Sequence, residues 1–488
     1  MTPDNIAAIA TPPGTGGIAV IRVSGPDAIE IVQSAWKGKR LSEVKSHTVT
    51  LGKYVATDGS ILDEALASVF LGPNSFTGEN VVEISAHGST WIQREILSDL
   101  IRRGARTAGP GEFTQRAFLN GRIDLAQAEG VADLIAASSR AAHHLAMSQT
   151  RGGFSKELDS LRDKLIEFSS LLELELDFSE EDVEFAERQR LHNLATAVLN
   201  KIERLAKSYS SGSAIKEGFP VVIAGVPNAG KSSLLNLLTG DDKAIVTDIP
   251  GTTRDIIEDT VEIDGILFRF FDTAGLRESA DKVESIGIGK ARSKMREARI
   301  VIWIIDPCSP LSNQIAELRT FQTQNSGITI IPLLNKSDIC LEHLTLQPLT
   351  AIKSGDETDK TISQIQSGAT VNSGMPDADI KNVCNDAIRF STKTKEGLDI
   401  LKRRLSGIAT EGFNPQEELI VTNARHYESL IHGAESLRRA ISGIESGISA
   451  DFIAQDIRES LHHLGTITGA ITTSDLLQSI FTRFCIGK

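Results

Sequence analysis

The fold class of this chain follows from Pro220-Val221-Val222-Ile223-Ala224, which is continued by Gly225-Val226-Pro227-Asn228-Ala229-Gly230-Lys231-Ser232 and then by Ser233-Leu234-Leu235-Asn236-Leu237-Leu238. The first run predicts a buried strand and the last run predicts a helix. The middle run fits the pattern G-x-x-x-x-G-K-[ST], in which glycines let backbone N–H groups wrap phosphates at a helix N-terminus. Lys231 would then reach the β- and γ-phosphates, and Ser232 would ligate Mg²⁺. A glycine turn without a ligand is the alternative, and the flanking strand and helix disfavour it.

Outside this stretch, strand and helix patterns alternate from Phe219 to about Leu405, which predicts a parallel α/β sheet. Helical periodicity begins near Leu125, breaks at Ser210-Ser211-Gly212-Ser213, which we interpret as a linker, and returns near the C-terminus. The α/β unit is therefore predicted to be inserted between two helical segments that pack together as one domain. The polar residues 345–379 predict a long surface loop or a partly disordered insertion.

The first 120 residues predict a compact α+β unit. Short strands are indicated at Ile18-Ala19-Val20-Ile21-Arg22-Val23 and Val81-Val82-Glu83-Ile84, and Asp58-Gly59 between strand-like runs is a hairpin signal. The predicted domain boundaries are residues 1–120 for the N-terminal domain, 121–215 and 408–488 for the two parts of a helical domain, and 216–407 for the inserted α/β domain.

Composition limits the function classes. The 488 residues carry 51 Lys+Arg against 64 Asp+Glu, a net charge of -13, and 40% are hydrophobic. This balance excludes a uniformly basic nucleic-acid coat and a wholly disordered chain, although a local basic patch can still bind RNA. The four cysteines, which form no C-x-x-C pair, are typical of a reducing cytosol. Because a signal-peptide pattern and an apolar run of about 20 residues are both lacking, we expect a cytoplasmic protein without a membrane segment.

Four further motifs follow the phosphate loop in order. Gly251-Thr252-Thr253-Arg254-Asp255 offers a threonine to the metal, and Asp272-Thr273-Ala274-Gly275 ends a strand, so that Asp272 could hold Mg²⁺ through water and the Gly275 N–H could sense the γ-phosphate. Asn335-Lys336-Ser337-Asp338 follows another strand, and Ser391-Thr392-Lys393 would be the last loop that contacts the base. Because a carboxylate can accept from the N1–H and 2-amino groups of guanine, a pair that adenine lacks, the series predicts a GTPase. The expected fold class is therefore a multidomain α/β chain with an N-terminal α+β domain, a helical domain formed by two chain segments and an inserted Ras-like P-loop GTPase domain.

The catalytic arrangement has a gap. Leu276 stands where Ras-type GTPases place the glutamine that orients the attacking water. Downstream carboxylates, Glu284 among them, could align water, although composition alone favours a solvated loop charge for each. No arginine finger is identifiable, so another cation must offset the transition-state charge, and the amide oxygen of Asn228 suits a monovalent ion.

With these residues in place, the chain resembles the bacterial and organellar tRNA-modification GTPases called MnmE or TrmE over nearly its whole length. Motifs outside the GTPase core carry the resemblance more specifically than the phosphate loop does. They are Ala10-Thr11-Pro12-Pro13-Gly14, Pro73-Asn74-Ser75-Phe76-Thr77-Gly78-Glu79, Gly111-Glu112-Phe113, Arg116-Ala117-Phe118-Leu119-Asn120, Asp124-Leu125-Ala126-Gln127-Ala128-Glu129 and Phe484-Cys485-Ile486-Gly487-Lys488.

The resemblance implies an activity and partners. Family members act on C5 of the wobble uridine of certain tRNAs, in a heterotetramer with an FAD-dependent flavoprotein known as MnmG or GidA. They install an aminomethyl or carboxymethylaminomethyl group from a tetrahydrofolate donor, in its 5-formyl or 5,10-methylene form, and from glycine or ammonia. They are homodimers through the N-terminal folate-binding domain, and their G domains pair across the dimer in a potassium-dependent way.

The resemblance also implies site residues. Potassium would be held by Asn228, Thr247, Ile249 and Thr252, magnesium by Ser232 and Thr253, and the attacking water by Glu284. The folate derivative would be held by Arg22, Glu83, Arg122 and Lys488. The residues that would contact the nucleotide are Asn228, Ala229, Gly230, Lys231, Ser232, Ser233, Thr247, Asp248, Ile249, Pro250, Gly251, Thr252, Thr253, Asp272, Thr273, Ala274, Gly275, Asn335, Lys336, Asp338, Ser391, Thr392 and Lys393.

Three alternatives stay open at this point. Arg22 and Glu83 are charges within apolar strand runs, and a guanidinium suits the glutamate tail of folate while a carboxylate suits the N–H groups of a pterin. The two side chains could equally pair with each other or lie on an exposed edge. Two other functions also fit the G domain, a ribosome-assembly GTPase and a low-turnover GTP-binding switch. The first would need a basic RNA-binding appendage, which the sequence does not show.

Overall fold

The computed structural model describes residues 4–177, 188–241, 258–272, 298–340, 377–411, 419–482 and 484–487. The chain divides into two compact units. One comprises Met1–Ala136, Ala146–Lys207 and Ala424–Lys488, and the other comprises Ala137–Leu145 and Ser208–Asn423. The finer division at residues 120, 215 and 407 stays a prediction.

A seven-stranded sheet forms the N-terminal part of the first unit. Its strands are β1 (Ile6–Ile9), β2 (Gly16–Ser24), β3 (Trp36–Gly38), β4 (Thr48–Val55), β5 (Ile61–Phe70), β6 (Val81–Gly88) and β7 (Arg106–Thr107). They are arranged in the order β3-β4-β5-β6-β2-β1-β7, and only the β1–β7 pair is parallel. The hairpin predicted at Asp58-Gly59 is confirmed between β4 and β5, where Gly59 takes a φ of 87°.

Two helices, α1 (Ala28–Ala35) and α2 (Thr90–Arg102), pack on one face of this sheet. The alternation of buried and more exposed side chains along β6 shows which face of the sheet is buried. Val82, Ile84 and Ala86 belong to the core with the helices. Because successive side chains on a strand point to opposite faces, Glu83 and His87 lie on the other face.

The chain continues through α3 (Glu112–Leu119), α4 (Leu125–Ala136), α5 (Arg140–Thr150), α6 (Gly153–Asp177) and α7 (Arg188–Glu217). The linker predicted at residues 210–213 was wrong, because α7 runs through it without a break. Gly212 costs about 1 kcal/mol of helix propensity, but packing overrides this cost. A Cβ atom on Gly212 would lie 2.2 Å from the carbonyl oxygen of Val421, so the glycine permits a close approach of the chain there.

The second unit is built on the predicted α/β sheet. Its described elements are β8 (Phe219–Gly225), α8 (Lys231–Asp241), β9 (Glu258–Ile263), β10 (Ile266–Asp272), β11 (Ile300–Ile305), α9 (Leu311–Gln324), β12 (Thr329–Leu334), α10 (Ser337–Cys340), α11 (Asp377–Asp386), β13 (Ile388–Arg389) and α12 (Leu398–Ala409). The strand order is β13-β12-β11-β8-β10-β9. All pairs are parallel except β9–β10, an antiparallel hairpin.

The polar segment predicted as a loop at residues 345–379 falls mostly outside the described residues, but its last three residues open α11 and are helical. The chain then ends in the predicted helices α13 (Ala424–Glu445), α14 (Ala450–Thr468) and α15 (Ser474–Phe481). No described helix combines the length and the apolar character needed to cross a membrane.

Candidate functional site

The phosphate loop connects β8 to α8, and two glycines with positive φ set its shape, Gly225 at 143° and Gly230 at 100°. On Gly225 a Cβ atom would lie 2.4 Å from the carbonyl oxygen of Ile304. On Gly230 it would lie 2.3 Å from Nδ2 of Asn335. Asn228, at the exposed tip, also has a positive φ of 60°. A larger residue at either glycine would displace neighbouring atoms, so this loop conformation depends on the glycines of the motif.

Lys231 opens α8, and its side chain turns back over the loop. Its Nζ donates to the carbonyl oxygens of Gly225 at 3.0 Å and Val226 at 2.9 Å, and the residue is buried. Ser232 and Ser233 follow in the same turn and are exposed. The ammonium and the hydroxyls therefore lie at the N-terminal end of α8, where the helix dipole favours an anion. This donor set fits the phosphates of a nucleotide and a magnesium ion.

Of the residues predicted to contact the base, Asn335 contacts the phosphate loop. Asn335 follows β12, is 1% exposed, and donates from Nδ2 to the carbonyl oxygen of Ala229 at 2.7 Å. Its Oδ1 is buried and has no hydrogen-bond partner among the described residues, which marks a position that a ligand can satisfy. Oδ1 of Asp338 accepts from Oγ of Ser391 at 2.8 Å.

The loop after β13 is held by its own first residue. Oγ of the buried Ser391 accepts from the backbone N–H groups of Lys393 at 3.3 Å and Thr394 at 3.2 Å. Thr392 is half-buried and Lys393 is exposed. The structure therefore brings the phosphate loop and the two predicted base loops together at one edge of the sheet.

Two carboxylates that position this site were missed from the sequence. Oδ2 of Asp306 pairs with Nζ of Lys336 at 2.7 Å, and Oε2 of Glu396 accepts from Oγ of Ser337 at 2.9 Å. Asp306 directly follows the buried strand β11. The carboxyl ends of parallel strands share one edge of a sheet. A carboxylate directly after a predicted buried strand could therefore have indicated Asp306 as a site residue. We find no comparable signal for Glu396.

Part of the predicted site lies outside the described residues. Asp272 is the last residue of β10. The predicted residues that the structure does not describe are Thr247, Asp248, Ile249, Pro250, Gly251, Thr252, Thr253, Thr273, Ala274, Gly275, Glu284 and Lys488.

A second candidate site lies on the face of the N-terminal sheet opposite α1 and α2. Arg22 on β2 and Glu83 on β6 are direct cross-strand neighbours. Nε and Nη2 of Arg22 lie 2.8 and 2.7 Å from Oε1 of Glu83, so the two side chains do pair with each other. They remain 20% and 26% exposed, and Oε2 of Glu83 makes no hydrogen bond with any described residue. A ligand can therefore still reach both groups.

The C-terminal residues approach this pair. Nη1 of Arg22 donates to the carbonyl oxygen of Gly487 at 3.3 Å, and Ile486 forms a β-bridge with Pro110. Gly487 has a φ of 97°, and a Cβ atom on it would lie 2.5 Å from the carbonyl oxygen of Ile9. The approach of the tail therefore requires glycine at this position.

Phe76 lies near Arg22 and lines the same cleft as Arg122. Cζ of Arg22 lies 5.9 Å from the centre of the Phe76 ring and 5.5 Å from that of Phe113. Phe76 also lines an open cleft of about 590 Å³ together with His47 and the exposed Arg122. Three of the four residues predicted to hold folate therefore lie in one part of the N-terminal domain.

Comparisons with known proteins agree along the whole chain. The family model described as the MnmE helical domain matches residues 125–485, and the one described as the GTP-binding protein TrmE N-terminus matches residues 5–122. Three relatives are each named tRNA modification GTPase MnmE. That of Cytophaga hutchinsonii is 46% identical over 99% of this chain and 98% of the relative. That of Bacteroides thetaiotaomicron is 47% identical over 100% of both, and that of Flavobacterium johnsoniae is 45% identical over 99% of both.

Proposed function

This chain belongs to the MnmE family of tRNA modification GTPases, and from that premise we propose that it is a potassium-dependent enzyme that modifies C5 of the wobble uridine with a flavoprotein partner. The chain is a GTP hydrolase. In the proposed reaction the added group is of the aminomethyl or carboxymethylaminomethyl type. Its carbon comes from a tetrahydrofolate derivative, in the 5-formyl or the 5,10-methylene form.

The proposal that the nucleotide is GTP rests on the contact between the phosphate loop and the loops predicted to bind the base. Asn335 bridges to the phosphate loop at Ala229, and Asp338 is held by Ser391 within the same edge of the sheet. A carboxylate on the same edge of the sheet as a phosphate-binding loop can accept from the N1–H and 2-amino groups of guanine. Adenine lacks that pair of donors, and so the arrangement favours GTP over ATP.

Metal ions complete the proposed phosphate site. Ser232 offers a hydroxyl in the first turn of α8 for Mg²⁺, with Thr253 as the second ligand. Asn228 offers an exposed amide oxygen for K⁺, joined by oxygens of Thr247, Ile249 and Thr252. Carboxylate, carbonyl and hydroxyl oxygens suit hard cations. A potassium ion held by these residues would supply positive charge for the phosphates, which the chain needs because its sequence offers no identifiable arginine finger.

Glu284 takes the role of the water-orienting residue in this proposal. Leu276 cannot hold a water molecule, and the family's water-orienting glutamate matches Glu284. The carboxylate aligns the attacking water and accepts its proton. The hydrolysis cycle then drives the conformational change that tRNA modification requires.

The paired Arg22 and Glu83 support the folate part. Arg22 can bind the glutamate tail of folate through the N–H groups that Glu83 leaves available, since a guanidinium carries five donors. Oε2 of Glu83 can accept from a pterin. Arg122, in the cleft beside Phe76, adds a second positive charge for the anionic tail, and Lys488 adds a third.

An exposed apolar patch supports a homodimer. Val49 and Leu51 on β4 and Leu66 on β5 are 60%, 62% and 42% exposed, and Leu51 is the cross-strand partner of Leu66. The patch shares a face with Arg22, because the register aligns Val49, Ser68, Glu83 and Arg22 across the sheet. A contiguous exposed apolar patch is typical of a protein interface. We assign it to a second copy of the chain.

The net charge of -13 bears on how tRNA is bound. An acidic chain repels the phosphate backbone, so the tRNA contact is expected to be shared with the flavoprotein in a heterotetramer. The isolated chain should therefore bind tRNA weakly and with strong salt dependence. Tight binding that salt does not weaken would overturn this part of the proposal.

Two measurements test the proposed function. Mass-spectrometric profiling of tRNA nucleosides, with and without the gene, should show loss of the C5-modified wobble uridine. An unchanged profile would leave the ribosome-assembly alternative in its place. Hydrolysis of GTP should be faster in potassium than in sodium, and equal, near-zero rates in both would favour the low-turnover switch.

A further inference from the structure

A histidine on the face of Arg22 and Glu83 has an arrangement that the proposed function does not yet use. His87 is the seventh residue of β6, and its imidazole side chain is 72% exposed. Its Nδ1 lies 2.7 Å from Oδ1 of Asp63, whose side chain is 8% exposed. Oδ2 of the same carboxylate accepts from the backbone N–H of His87 at 2.7 Å. An almost buried carboxylate thus holds an almost fully exposed imidazole.

The contact fixes the protonation pattern of the neutral ring. A carboxylate only accepts hydrogen bonds, so Nδ1 carries the proton and Nε2 is left with its lone pair. Nε2 makes no hydrogen bond with any described residue. The hydrogen bond from the backbone N–H of His87 to Asp63 already connects β5 with β6. An exposed ring adds little packing energy. The second contact therefore serves to orient the ring, as in sites where a carboxylate prepares a histidine for proton transfer.

The sheet places this ring in line with the proposed folate pair. Glu83, Ser85 and His87 alternate on one face of β6, so His87 lies about 13 Å along the strand from Glu83. Gly16 pairs with Gly88 and Ala19 with Ala86, and the register shifts between these pairs, so that Gly17 and Ile18 together stand opposite His87. Ile18 is 71% exposed. A pterin held by Glu83 and directed along the strand toward His87 would place its one-carbon unit between these two side chains.

We propose that Nε2 of His87 accepts the proton of the amine that attacks the one-carbon unit on this face; the inference rests on the proposed folate-dependent function. With the 5,10-methylene form as donor, the amine nitrogen would use its lone pair to bond to the carbon, and the bond from that carbon to one donor nitrogen would break. The released donor nitrogen would keep the electron pair and take a proton from solvent. The attacking nitrogen becomes cationic and acidic, and its proton moves to Nε2. A neutral amine and an imidazolium remain, and the imidazolium returns the proton to solvent. No oxidant or reductant takes part in this step.

Few charged groups lie near the ring. On β5 they are Asp63 and Glu64, and on β4 Lys53 is the cross-strand neighbour of Glu64. The opposite stretch of β2 carries no charge. The first turn of α2, which follows directly, adds no acidic residue. Asp63 is therefore the charged group that contacts the ring most directly.

The test uses the full chain with its flavoprotein partner, tRNA, the folate donor and glycine, and it measures the initial rate of nucleoside modification. His87→Asn keeps a hydrogen bond to Asp63 but has no titratable nitrogen. We expect its rate to fall about 10²-fold or more, while 5-formyltetrahydrofolate binding, followed by fluorescence, and GTP hydrolysis stay at wild-type values. Glu64→Gln, one residue from Asp63, is the matched control and should leave all three unchanged.

Asp63→Asn separates positioning from a structural role. It should lower the modification rate less than His87→Asn does, and it should lower the rate no further when it is added to His87→Asn. A merely structural contact would lower the rate in both backgrounds.

Three results overturn the inference. A wild-type rate in His87→Asn excludes His87 from proton transfer, and loss of folate binding in that variant makes it a binding residue. A wild-type chain that binds no folate removes the proposed function and this inference together.

Discussion

Nδ2 of Asn335 donates a hydrogen bond to the carbonyl oxygen of Ala229 at 2.7 Å. The contact joins two loops that are 106 residues apart in sequence, one at the end of β12 and one between β8 and α8. Asn335 is 1% exposed, so water does not compete for the bond. The distance between the phosphate half and the base half of the nucleotide site is therefore fixed by a buried side chain, before any nucleotide binds.

Replacing Asn335 should weaken the binding of GTP and of GDP by a similar factor. Asn335→Ala removes the bridge and leaves the carbonyl of Ala229 buried without its donor, which costs roughly 1–3 kcal/mol. We expect the dissociation constants of fluorescent GTP and GDP analogues to rise about 10- to 100-fold. Asn325→Ala is the control, because Nδ2 of Asn325 donates to the carbonyl oxygen of Phe321 in α9, the helix that Asn325 follows. Equal affinities for Asn335→Ala and the wild type would contradict the bridging role.

Asp338 should decide which base is bound. Asp338→Asn replaces one acceptor oxygen with a donor, so the N1–H and 2-amino groups of guanine meet a mismatched partner. Xanthine carries an oxygen in place of the 2-amino group and matches the amide. We expect GTP affinity to fall about 10- to 100-fold and xanthosine triphosphate to become the better ligand in competition titrations. A variant that prefers neither nucleotide would show that Asp338 does not contact the base.

Glu284 should control turnover and leave nucleotide affinity unchanged. It lies outside the described residues, and the prediction follows from its match to the family's water-orienting glutamate. Glu284→Ala should reduce the rate of GTP hydrolysis in potassium about 10²-fold or more, while the dissociation constant of a GTP analogue stays the same. Glu278→Ala removes a carboxylate from the same segment and is the matched control. Unchanged hydrolysis in Glu284→Ala would refute the assignment.

The parts of the fold that the sequence predicted are local in sequence. Pro220–Leu238 contains its own strand, loop and helix signals, and the glycines of that loop are required where they stand, at Gly225 and Gly230. The linker predicted at residues 210–213 failed for the opposite reason. Ser and Gly disfavour a helix by local propensity, but α7 is held there by packing against residues about 210 positions later.

The supporting residues of the site could not be predicted in the same way. Asp306 orients Lys336 across 30 residues, and Gly487 contacts Arg22 across 465 residues. A hydrogen bond between distant residues leaves no periodic pattern in a sequence. His87 illustrates this, because the buried carboxylate that orients it became visible only when β5 and β6 were placed side by side.

The buried cluster of Glu129, Arg425 and His426 should make the helical part sensitive to acid. Oε2 of Glu129 lies 2.5 Å from Nε2 of His426 and 2.8 Å from Nη2 of Arg425. Burial alone would raise the pKa of Glu129, but the charge and hydrogen bond of His426 and those of Arg425 outweigh it and hold the pKa at about 2, below its ordinary value of 4.5. A carboxylate whose pKa is lowered by folding stabilises the folded state above its unfolded pKa. That stability is lost as the pH falls from 4.5 toward 2.

Glu129→Ala tests this directly, because it removes the carboxylate to which both Arg425 and the buried His426 are bonded. We expect the free energy of unfolding in urea, followed by circular dichroism, to fall by about 3–5 kcal/mol at neutral pH. The difference from the wild type should shrink as the pH falls toward about 2, where Glu129 begins to take up its proton in the folded wild type as well. Glu445→Ala removes an exposed partner of His192 and should cost about 1 kcal/mol or less. If the two variants lose equal stability, or if the loss for Glu129→Ala does not depend on pH, the cluster stabilises the fold by its packing and its charge contributes nothing.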